Sequence, residues 1–258
     1  MSVPLQALWP VDQAGRQIPV DPAEDELAAL YAYPAERWVR ANMVATLDGA
    51  AHGPDGVTRS INDPADVRVF VLLRSLADVV LVGAGTVRAE GYSLPRHRPA
   101  LAARRSAAGM PPTPRLAVVT RSGDVPAHLL EGDRPALVVT CRATGRDTLA
   151  RLAERAGQDA VLVAGDERVD LRRALDALAE RGLGRVLCEG GPTLLGQVAA
   201  AGALDELCLT LTARLLAGDA PRVLNGGAVD VPVHLAHLLA AGDTLLGRWV
   251  RRKPDSVP

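Results

Sequence analysis

Short apolar runs and longer amphipathic stretches alternate along most of the chain. Apolar runs rich in β-branched residues predict buried strands over residues 38–46, 79–82, 116–120, 136–140, 160–164 and 185–188. Apolar residues at helical spacing predict helices over residues 64–77, 148–156, 171–181 and 193–201. Strands that alternate with helices in this way indicate an α/β fold with a mostly parallel central sheet and flanking helices.

The hydrophobic pattern changes in two regions. Residues 206–216 and 244–252 predict strands with little helix between them, which indicates an antiparallel C-terminal edge on the sheet. Residues 93–114 combine arginines, prolines and small residues, and they predict a loop. Because no repeat or long linker interrupts the chain, we expect a single domain over residues 38–252, with an N-terminal extension (1–37) and a short tail (253–258).

Composition narrows the possible functions. Of the 258 residues, 48% are hydrophobic and 23% are charged, as expected for a soluble globular enzyme. A net charge of −1 and an aromatic content of 3% argue against a nucleic-acid partner. With no signal sequence and no apolar run of membrane-spanning length, we predict a cytoplasmic protein without a membrane partner. The cysteines are expected to be buried thiols, and the spacing of the histidines predicts no metal site.

The strand that ends at Cys188 leads into Glu189, Gly190, Gly191 and Pro192, where a helix is predicted to begin. A strand–turn–helix junction directs backbone N–H groups and the positive end of a helix towards an anion. Adjacent glycines let a ligand approach the main chain closely. A carboxylate is an unusual neighbour for a phosphate, so Glu189 is expected to face a polar substrate group beside a cofactor phosphate.

A second glycine turn, Gly83-x-Gly85-Thr86, follows another predicted strand. It differs from the dinucleotide-binding fingerprint because Arg88 occupies the position of the third glycine, which argues against a Rossmann fold. Two interpretations remain open. The turn contacts a phosphate, or it is a tight strand–helix connection in which Thr86 caps the helix.

Other polar residues also follow predicted strands. Arg121 and Ser122 form either a grip for a 2′-phosphate or a solvated turn. Asp48 is either a functional carboxylate or a turn residue that binds its own backbone. Glu90 and Glu189 both lie just beyond strand ends, where ligands bind in open α/β sheets. Candidate phosphate contacts, or alternatively solvated side chains, are Arg74, Arg96 and Arg98.

Taken together, these segments resemble the reductase domain of the bifunctional riboflavin biosynthesis deaminase/reductase, which has the dihydrofolate reductase fold. The matching motifs are Thr46-Leu47-Asp48-Gly49, Leu73-Arg74 with Ala77-Asp78, Gly83-x-Gly85-Thr86-Val87, Glu189-Gly190-Gly191-Pro192-Thr193-Leu194 and Leu204-Asp205-Glu206-Leu207. Their order and spacing agree over residues 38–250.

The resemblance implies reduction of 5-amino-6-(5-phosphoribosylamino)uracil to its phosphoribitylamino form, with NADPH as the hydride donor. The implied catalytic residues are Glu189 and Glu90. The implied cofactor contacts are Ala45, Ser60, Gly83, Gly85, Thr86, Arg121, Ser122, Gly190, Gly191, Pro192, Thr193 and Leu194. The implied substrate contacts are Asn42, Asp48, Arg74, Leu94, Arg96 and Arg98. The resemblance also implies a homodimer, and a separate deaminase because the zinc-deaminase signature is absent from this sequence.

Three departures from the family pattern affect the substrate side more than the cofactor side. Glu90-Gly91-Tyr92 replaces an Asp-Asp-Pro run, Asn42 replaces a lysine, and His97 lies nearest the position of a family arginine. One alternative is a dihydrofolate or dihydropterin reductase. It ranks lower because neither Asp66 nor Asp78 obviously matches the buried acid that such enzymes carry on their first long helix. A non-catalytic NADPH-binding relative is the other alternative.

Overall fold

A computed structural model describes residues 3–96 and 98–252. Within these residues eleven strands form one sheet in the order β2-β1-β10-β11-β9-β3-β8-β4-β5-β6-β7. The strands are β1 (Leu5–Trp9), β2 (Gln17–Ile18), β3 (Trp38–Thr46), β4 (Val79–Gly83), β5 (Arg115–Val119), β6 (Leu137–Thr140), β7 (Val161–Val163), β8 (Arg185–Cys188), β9 (Glu206–Thr212), β10 (Val233–Ala241) and β11 (Thr244–Arg251). The α-helices are α1 (Asp25–Leu30), α2 (Pro64–Leu76), α3 (Ala84–Glu90), α4 (Pro99–Ala107), α5 (Arg146–Ala156), α6 (Leu171–Ala179) and α7 (Pro192–Ala200).

The strands from β9 through β3 and β8 to β7 pair in parallel, as the alternation of strands and helices predicts. Strand β3 lies inside this parallel region and is buried from Val39 to Thr46. Helices cover both faces of the parallel strands, which explains why the strands read as continuous apolar runs. The predicted α/β class with a mostly parallel sheet is confirmed.

The antiparallel edge is also confirmed, and it is wider than predicted. Strand β11 pairs antiparallel with β9 and β10, and β1 pairs antiparallel with β10 and β2. The sequence did not predict β10, whose first residues, Val233 and His234, are exposed. It did not predict β1 or β2 either. The predicted domain boundary at residue 38 stays a prediction, although β1, which precedes it, belongs to the same sheet. The predicted tail at 253–258 lies outside the described residues.

The loop predicted over residues 93–114 is wrong in its middle, where α4 forms. Pro99 occupies the first turn of this helix, where a missing N–H has no consequence, and the alanine-rich interior favours helix. Buried Arg105 donates from Nη1 to the carbonyls of Ser75 (3.0 Å) and Ala77 (2.5 Å). It thereby binds carbonyls at the end of α2 and docks α4 against that helix.

Helix α2 packs against one face of the sheet, and several of its residues line the cavity described below. Its N-cap Asp63 accepts hydrogen bonds at Oδ1 from the amides of Ala65 (2.7 Å) and Asp66 (3.0 Å). Leu72 and Leu73 pack with α1 in one apolar core, and α6 and α7 pack in a second core on the opposite face. Cys141, Cys188 and Cys208 are buried free thiols, as expected. None of the described helices is long and apolar enough to cross a membrane.

Candidate active site

A cavity of about 690 Å³ opens beside β3 and the turns that follow β4 and β8. Residues from α2, α3 and the loop around Thr58 complete its wall. The sequence-predicted site residues that line it are Asn42, Arg74, Gly83, Gly85, Thr86, Glu90, Arg98, Glu189, Gly191, Pro192, Thr193 and Leu194. The fold therefore brings most of the predicted cofactor contacts and both predicted catalytic acids to one place.

Two glycine turns contact each other at the floor of the cavity. The Gly83 amide donates to the Gly190 carbonyl (2.7 Å), and the Gly191 amide donates to Thr86 Oγ1 (2.7 Å). The Gly190–Gly191 peptide bond is cis. A Cβ on Gly191 would lie 2.5 Å from Thr86 Oγ1, so only glycine fits this approach. Thr86 does not cap α3, because the N-cap is Gly83; its hydroxyl joins the two turns instead.

Helix α7 begins at the edge of the cavity, and its first residues Pro192, Thr193 and Leu194 line the wall. Amides in the first turn of a helix lack intrahelical acceptors, and the helix dipole makes this end positive. Across from it, a Cβ built on Gly85 meets nothing within 4 Å. Open main chain next to a positive helix end fits the pyrophosphate of a dinucleotide cofactor.

Glu189 is buried at the inner end of this cavity and is hydrogen-bonded at both carboxylate oxygens. Arg74 donates from Nε and Nη2 at 2.7 Å each, and the Tyr92 hydroxyl donates at 2.7 Å. The Arg74 guanidinium stacks on Phe70, 4.2 Å from the ring centre. Burial and the negative charge of Glu189 raise the pKa of Tyr92, so its phenol stays a neutral donor. The carboxylate is thus fixed in position as an acceptor.

Arg74 is not a solvated side chain, which was the open alternative for it. Burial lowers its pKa, but the adjacent Glu189 carboxylate outweighs burial and raises the pKa above its ordinary value. The guanidinium therefore remains charged inside the cavity wall. A fixed ion pair of this kind can orient a polar ligand through its outward-facing lone pairs and N–H groups.

Glu90 holds the loop that closes one side of the cavity. Its Oε1 accepts from the Thr58 amide (2.7 Å) and from the Thr58 hydroxyl. The carboxylate thus anchors the short helical turn Thr58–Ser60. A role for Glu90 in catalysis stays a prediction, since these contacts give it a positioning function.

Eight of the residues predicted to bind ligands do not line this cavity, and four of them lie close to its strands and turns. Asp48 accepts hydrogen bonds from the Thr46 hydroxyl and from the amides of Leu216 (2.9 Å) and Ala217 (2.6 Å), which together lower its pKa to about 2. These bonds tie Asp48 to the distant segment at Leu216 and Ala217, beyond the turn itself, and a substrate contact for Asp48 stays a prediction. Ala45 is buried within β3, and the Ser60 hydroxyl bonds to Asp55 (2.7 Å) and to the Val57 carbonyl (2.9 Å). Gly190 also lies outside the lining, behind Gly191.

A smaller cavity of about 140 Å³ adjoins the main one and contains the other predicted substrate residues. Leu94 and Arg96 line it, and Arg74 and Arg98 line both cavities. The position of His97, which resemblance aligns with a family arginine, lies outside the described residues. Arg96 and Arg98 bring positive charge suited to a phosphate, whereas the charge of Arg74 is balanced by Glu189.

Arg121 and Ser122 lie at the end of β5, away from the main cavity. Ser122 lines a separate cavity of about 360 Å³ whose wall includes Arg151 and Arg155 on α5. The Arg121 Nε donates to the Glu167 carbonyl at 3.1 Å. The 2′-phosphate contact at Arg121 and Ser122 stays a prediction, and the two α5 arginines that line the cavity beside Ser122 were not predicted.

Two further residues of the main cavity were missed in the sequence. Tyr92 entered only as a departure from the family pattern, yet its hydroxyl fixes Glu189. Asp66 was set aside, yet it lines the cavity with 3% of its surface exposed. A local signal for Asp66 did exist, because it lies three and seven positions before buried Val69 and Leu73, on the apolar face of α2.

Comparison with known proteins gives a consistent result. The family model described as "RibD C-terminal domain" matches residues 37–246. The 2,5-diamino-6-ribosylamino-4(3H)-pyrimidinone 5′-phosphate reductase of Archaeoglobus fulgidus is 30% identical over 192 residues, covering 73% of this chain and 86% of that protein. The protein of the same name from Methanothermobacter thermautotrophicus is 30% identical, covering 75% of this chain and 86% of its own length.

Solved structures share the fold. A pyrimidine reductase-like protein from Corynebacterium diphtheriae superposes with a TM-score of 0.78 at 24% identity, covering 91% of this chain and all (100%) of that one. RibD of Acinetobacter baumannii superposes with a TM-score of 0.65 at 20% identity, covering 89% of this chain and 63% of that one. Since the family model spans most of the sequence and the archaeal reductases match over most of their length, this chain belongs to the RibD C-terminal domain family of riboflavin-biosynthesis reductases.

Proposed function

We propose that this protein reduces 5-amino-6-(5-phosphoribosylamino)uracil to its phosphoribitylamino form with NADPH. The observation that carries the proposal is one cavity in which the start of α7 lies beside the Glu189–Arg74–Tyr92 cluster. The helix start suits a cofactor phosphate, and the cluster suits a polar substrate. Reductive chemistry needs both ligands held in contact, which this arrangement allows.

For the cofactor, the pyrophosphate would be held by Gly191, Pro192, Thr193 and Leu194, with Thr86 behind them. When bound, NADPH supplies a hydride to the substrate. Its 2′-phosphate would be held by Arg121 and Ser122. Arg151 and Arg155 line the separate cavity that also contains Ser122, and these cations would favour NADPH over NADH, because arginine binds the extra phosphate well.

For the substrate, Glu189 would accept hydrogen bonds from ribityl hydroxyl or pyrimidine N–H groups. A carboxylate has about four lone-pair directions, so contacts with Arg74 and Tyr92 leave acceptor capacity. The phosphate would be held at the passage to the smaller cavity by Arg98 and Arg96. Buried Asn42 on the cavity wall supplies an amide in place of the family's lysine.

A second pyrimidine is favoured by the names of the two archaeal relatives, which specify the 2,5-diamino compound. The two candidates differ at C2, where one carries an amino group and the other an oxo group. Under the uracil proposal a separate deaminase acts before this reduction. Under the alternative it acts afterwards.

The test is to mix purified protein with NADPH and each pyrimidine separately, and to follow loss of the reduced nicotinamide absorbance. We expect NADPH to be oxidised when the uracil is present. The diamino compound and dihydrofolate are assayed in parallel as alternative substrates. Faster turnover of the diamino compound would replace the uracil assignment. NADPH binding without turnover of any substrate would identify a non-catalytic relative and reject the enzyme proposal.

We also propose a homodimer that uses the uncovered face of the β9–β11–β10 edge. Half-buried Leu211, Leu238, Leu245 and Trp249 lie on this face, and the strand pairing aligns Leu211 with Leu245. The Trp249 ring lies across Gly247, which widens the apolar surface. Sedimentation should give a dimer mass for the wild type and a monomer mass for Leu245→Arg. A wild-type monomer would reject this assignment.

A further inference from the structure

Asp66 is an acid in the main cavity that has no part in the proposed binding of cofactor or substrate. It lies in the first turn of α2, and its side chain is almost completely withdrawn from bulk solvent. Thr210 on β9, itself buried, lies near this carboxyl group, and its hydroxyl favours the charged form. Thr210 is paired with Val44 of β3, and Val44 and Asp66 both line the cavity.

The proposed reduction needs a proton as well as a hydride. Hydride addition at C1′ of the opened ribosylamine moves the C=N electron pair to nitrogen, and the nitrogen must then be protonated. Glu189 and Glu90 are poorly suited to supply that proton. Arg74 and Tyr92 donate to Glu189, and the Thr58 amide and hydroxyl donate to Glu90, so both carboxylates act as acceptors.

We propose that the Asp66 side chain, as a neutral carboxylic acid, donates this proton to the substrate nitrogen. The inference rests on the proposed function and adds a catalytic residue to it. The new bonds are C1′–H, from the hydride of NADPH, and N–H, from the Asp66 Oδ–H. The bonds that break are the C–H of the reduced nicotinamide and the Asp66 O–H. Asp66 is left as a carboxylate and recovers its proton from water.

The surroundings of Asp66 keep a larger share of its carboxyl group protonated near neutral pH than an ordinary aspartate would have. Burial raises its pKa to about 6, the Thr210 hydroxyl opposes this rise, and the negative charge of Asp63 adds to it. Asp63 belongs to the same helix cap. The other ionisable groups lining the cavity are His52, Arg59, Arg74, Glu90, Tyr92, Arg98 and Glu189. A carboxyl group with a pKa near the working pH is well matched to proton transfer.

The first test is Asp66→Asn, which preserves the size of the side chain and removes its acidic proton. We expect kcat to fall by roughly 10²- to 10⁴-fold, the usual contribution of a general acid. NADPH affinity, measured by fluorescence titration, and the melting temperature should stay close to wild type. Asp176→Asn, which alters an exposed acid on α6, is the matched control and should keep wild-type kcat.

The second test is the pH dependence of turnover. Since the acid form is active, wild-type kcat should decline as pH rises through the pKa of Asp66, and Asp66→Asn should lack this decline. Thr210→Val removes the hydroxyl that favours the carboxylate, so it should raise the pKa of Asp66 and move the decline to higher pH. A merely structural role for Asp66 would leave the midpoint unchanged in Thr210→Val.

A third readout does not require turnover. Carboxyl NMR of the cofactor-free protein should show one aspartate titrating well above the ordinary range, and that signal should be absent in Asp66→Asn. Wild-type turnover together with near-normal kcat in Asp66→Asn, or an unshifted midpoint in Thr210→Val, would overturn the assignment of Asp66. Failure of the wild type to oxidise NADPH with any pyrimidine would instead reject the proposed function. It would also remove the substrate nitrogen to which Asp66 is proposed to donate its proton.

Discussion

At the scale of single residues, the carboxylate of Glu189 illustrates how charge is used inside the cavity. Its two oxygens meet an arginine and a tyrosine from segments far apart in sequence, Arg74 on α2 and Tyr92 after α3. Hydrogen bonds to an ionised partner contribute about 1.5–3 kcal/mol each. A carboxylate held this firmly can bind one orientation of a polar substrate without reorganising.

Glu189→Gln tests that role. The amide keeps the shape but removes the charge and turns one acceptor into a donor facing Arg74 or Tyr92. If about 1.5–3 kcal/mol of transition-state binding is lost, kcat/KM should fall roughly 10- to 150-fold. NADPH affinity, measured by fluorescence titration, should change much less. Equal losses in both quantities would mean that Glu189 is a structural part of the turn.

Arg121→Ala tests the proposed 2′-phosphate contact. Removing the guanidinium should raise KM for NADPH roughly tenfold, in line with about 1.5 kcal/mol for a charge-assisted hydrogen bond. KM for NADH should remain unchanged, because NADH lacks the phosphate. Arg142→Ala, at an exposed ion pair with Asp166, is a suitable control. Parallel increases of KM for both cofactors would place the 2′-phosphate elsewhere.

Residue types at the site could be predicted from sequence, but their partners could not. Glu189 could be recognised as a candidate site residue because it follows a predicted strand and precedes two glycines. Its contacts with Arg74 and Tyr92 span 115 and 97 positions, and no local pattern encodes them. Asp66 was ranked low because its place near the start of α2 does not obviously match the buried acid that dihydrofolate reductases carry on their first long helix. Its spacing from Val69 and Leu73 indicates burial, but only the fold shows that this buried face of α2 borders the cavity.

At the scale of elements, the site depends on two strand–turn–helix junctions brought into contact. The β4–α3 turn and the β8–α7 turn are joined by hydrogen bonds from Gly83 to Gly190 and from Gly191 to Thr86. Because β4 and β8 are adjacent parallel strands, their carboxyl ends lie side by side. The positive end of α7 is thereby held next to the open main chain at Gly85.

Gly191→Ala and Gly85→Ala should separate packing from ligand approach. The Cβ of Gly191→Ala would lie 2.5 Å from Thr86 Oγ1, so the variant should lose about 1–3 kcal/mol of stability as well as NADPH affinity. A Cβ at Gly85 meets nothing within 4 Å, so Gly85→Ala should keep its stability and lose only affinity. Urea unfolding and fluorescence titration measure the two effects. The loss of stability in the double variant Thr86→Ala/Gly191→Ala should be smaller than the sum of the two single losses, because the clash disappears. Additive losses would contradict this account.

Buried elements were easier to predict than edge elements. Strands β3 and β8 match their predicted bounds, because parallel strands covered on both faces form continuous apolar runs. Strand β10 escaped prediction, since its exposed start and its two histidines break the pattern. Helix α4 was missed because prolines flank it at Pro99 and beyond its end, and proline density was interpreted as loop.

At the scale of the whole molecule, a buried charge cluster lies at the opposite end of β3 from the site. Glu206 of β9 accepts from Arg40 Nε (2.5 Å), from Arg248 Nε (2.9 Å) and from the Trp38 indole (2.9 Å). Arg248 also donates to the Leu30 carbonyl at the end of α1 (2.8 Å). One carboxylate thus joins the parallel region of the sheet, its antiparallel edge and the N-terminal helix.

Glu206→Gln should therefore destabilise the entire fold and change its response to acid. Breaking a buried ion pair costs about 3–5 kcal/mol, because Arg40 and Arg248 would keep buried charges without a carboxylate. Burial raises the pKa of Glu206, but the two arginines outweigh burial and hold the pKa below its ordinary value. The stabilisation is then complete above the unfolded-state pKa and is lost as pH falls through the folded-state pKa.

The measurement is urea unfolding of wild type and Glu206→Gln across a pH series from neutral into the acid range. The difference in unfolding free energy should be largest near neutrality and should narrow as the wild-type carboxylate becomes protonated. Glu180→Gln, an exposed acid at the end of α6, should match wild type at every pH. A difference that stays constant into acid would mean that the carboxylate charge contributes nothing, and that the loss comes from packing alone. Because the cluster lies away from the cavity, the folded variant should retain wild-type NADPH affinity, which separates the residues that stabilise the fold from those that bind ligands.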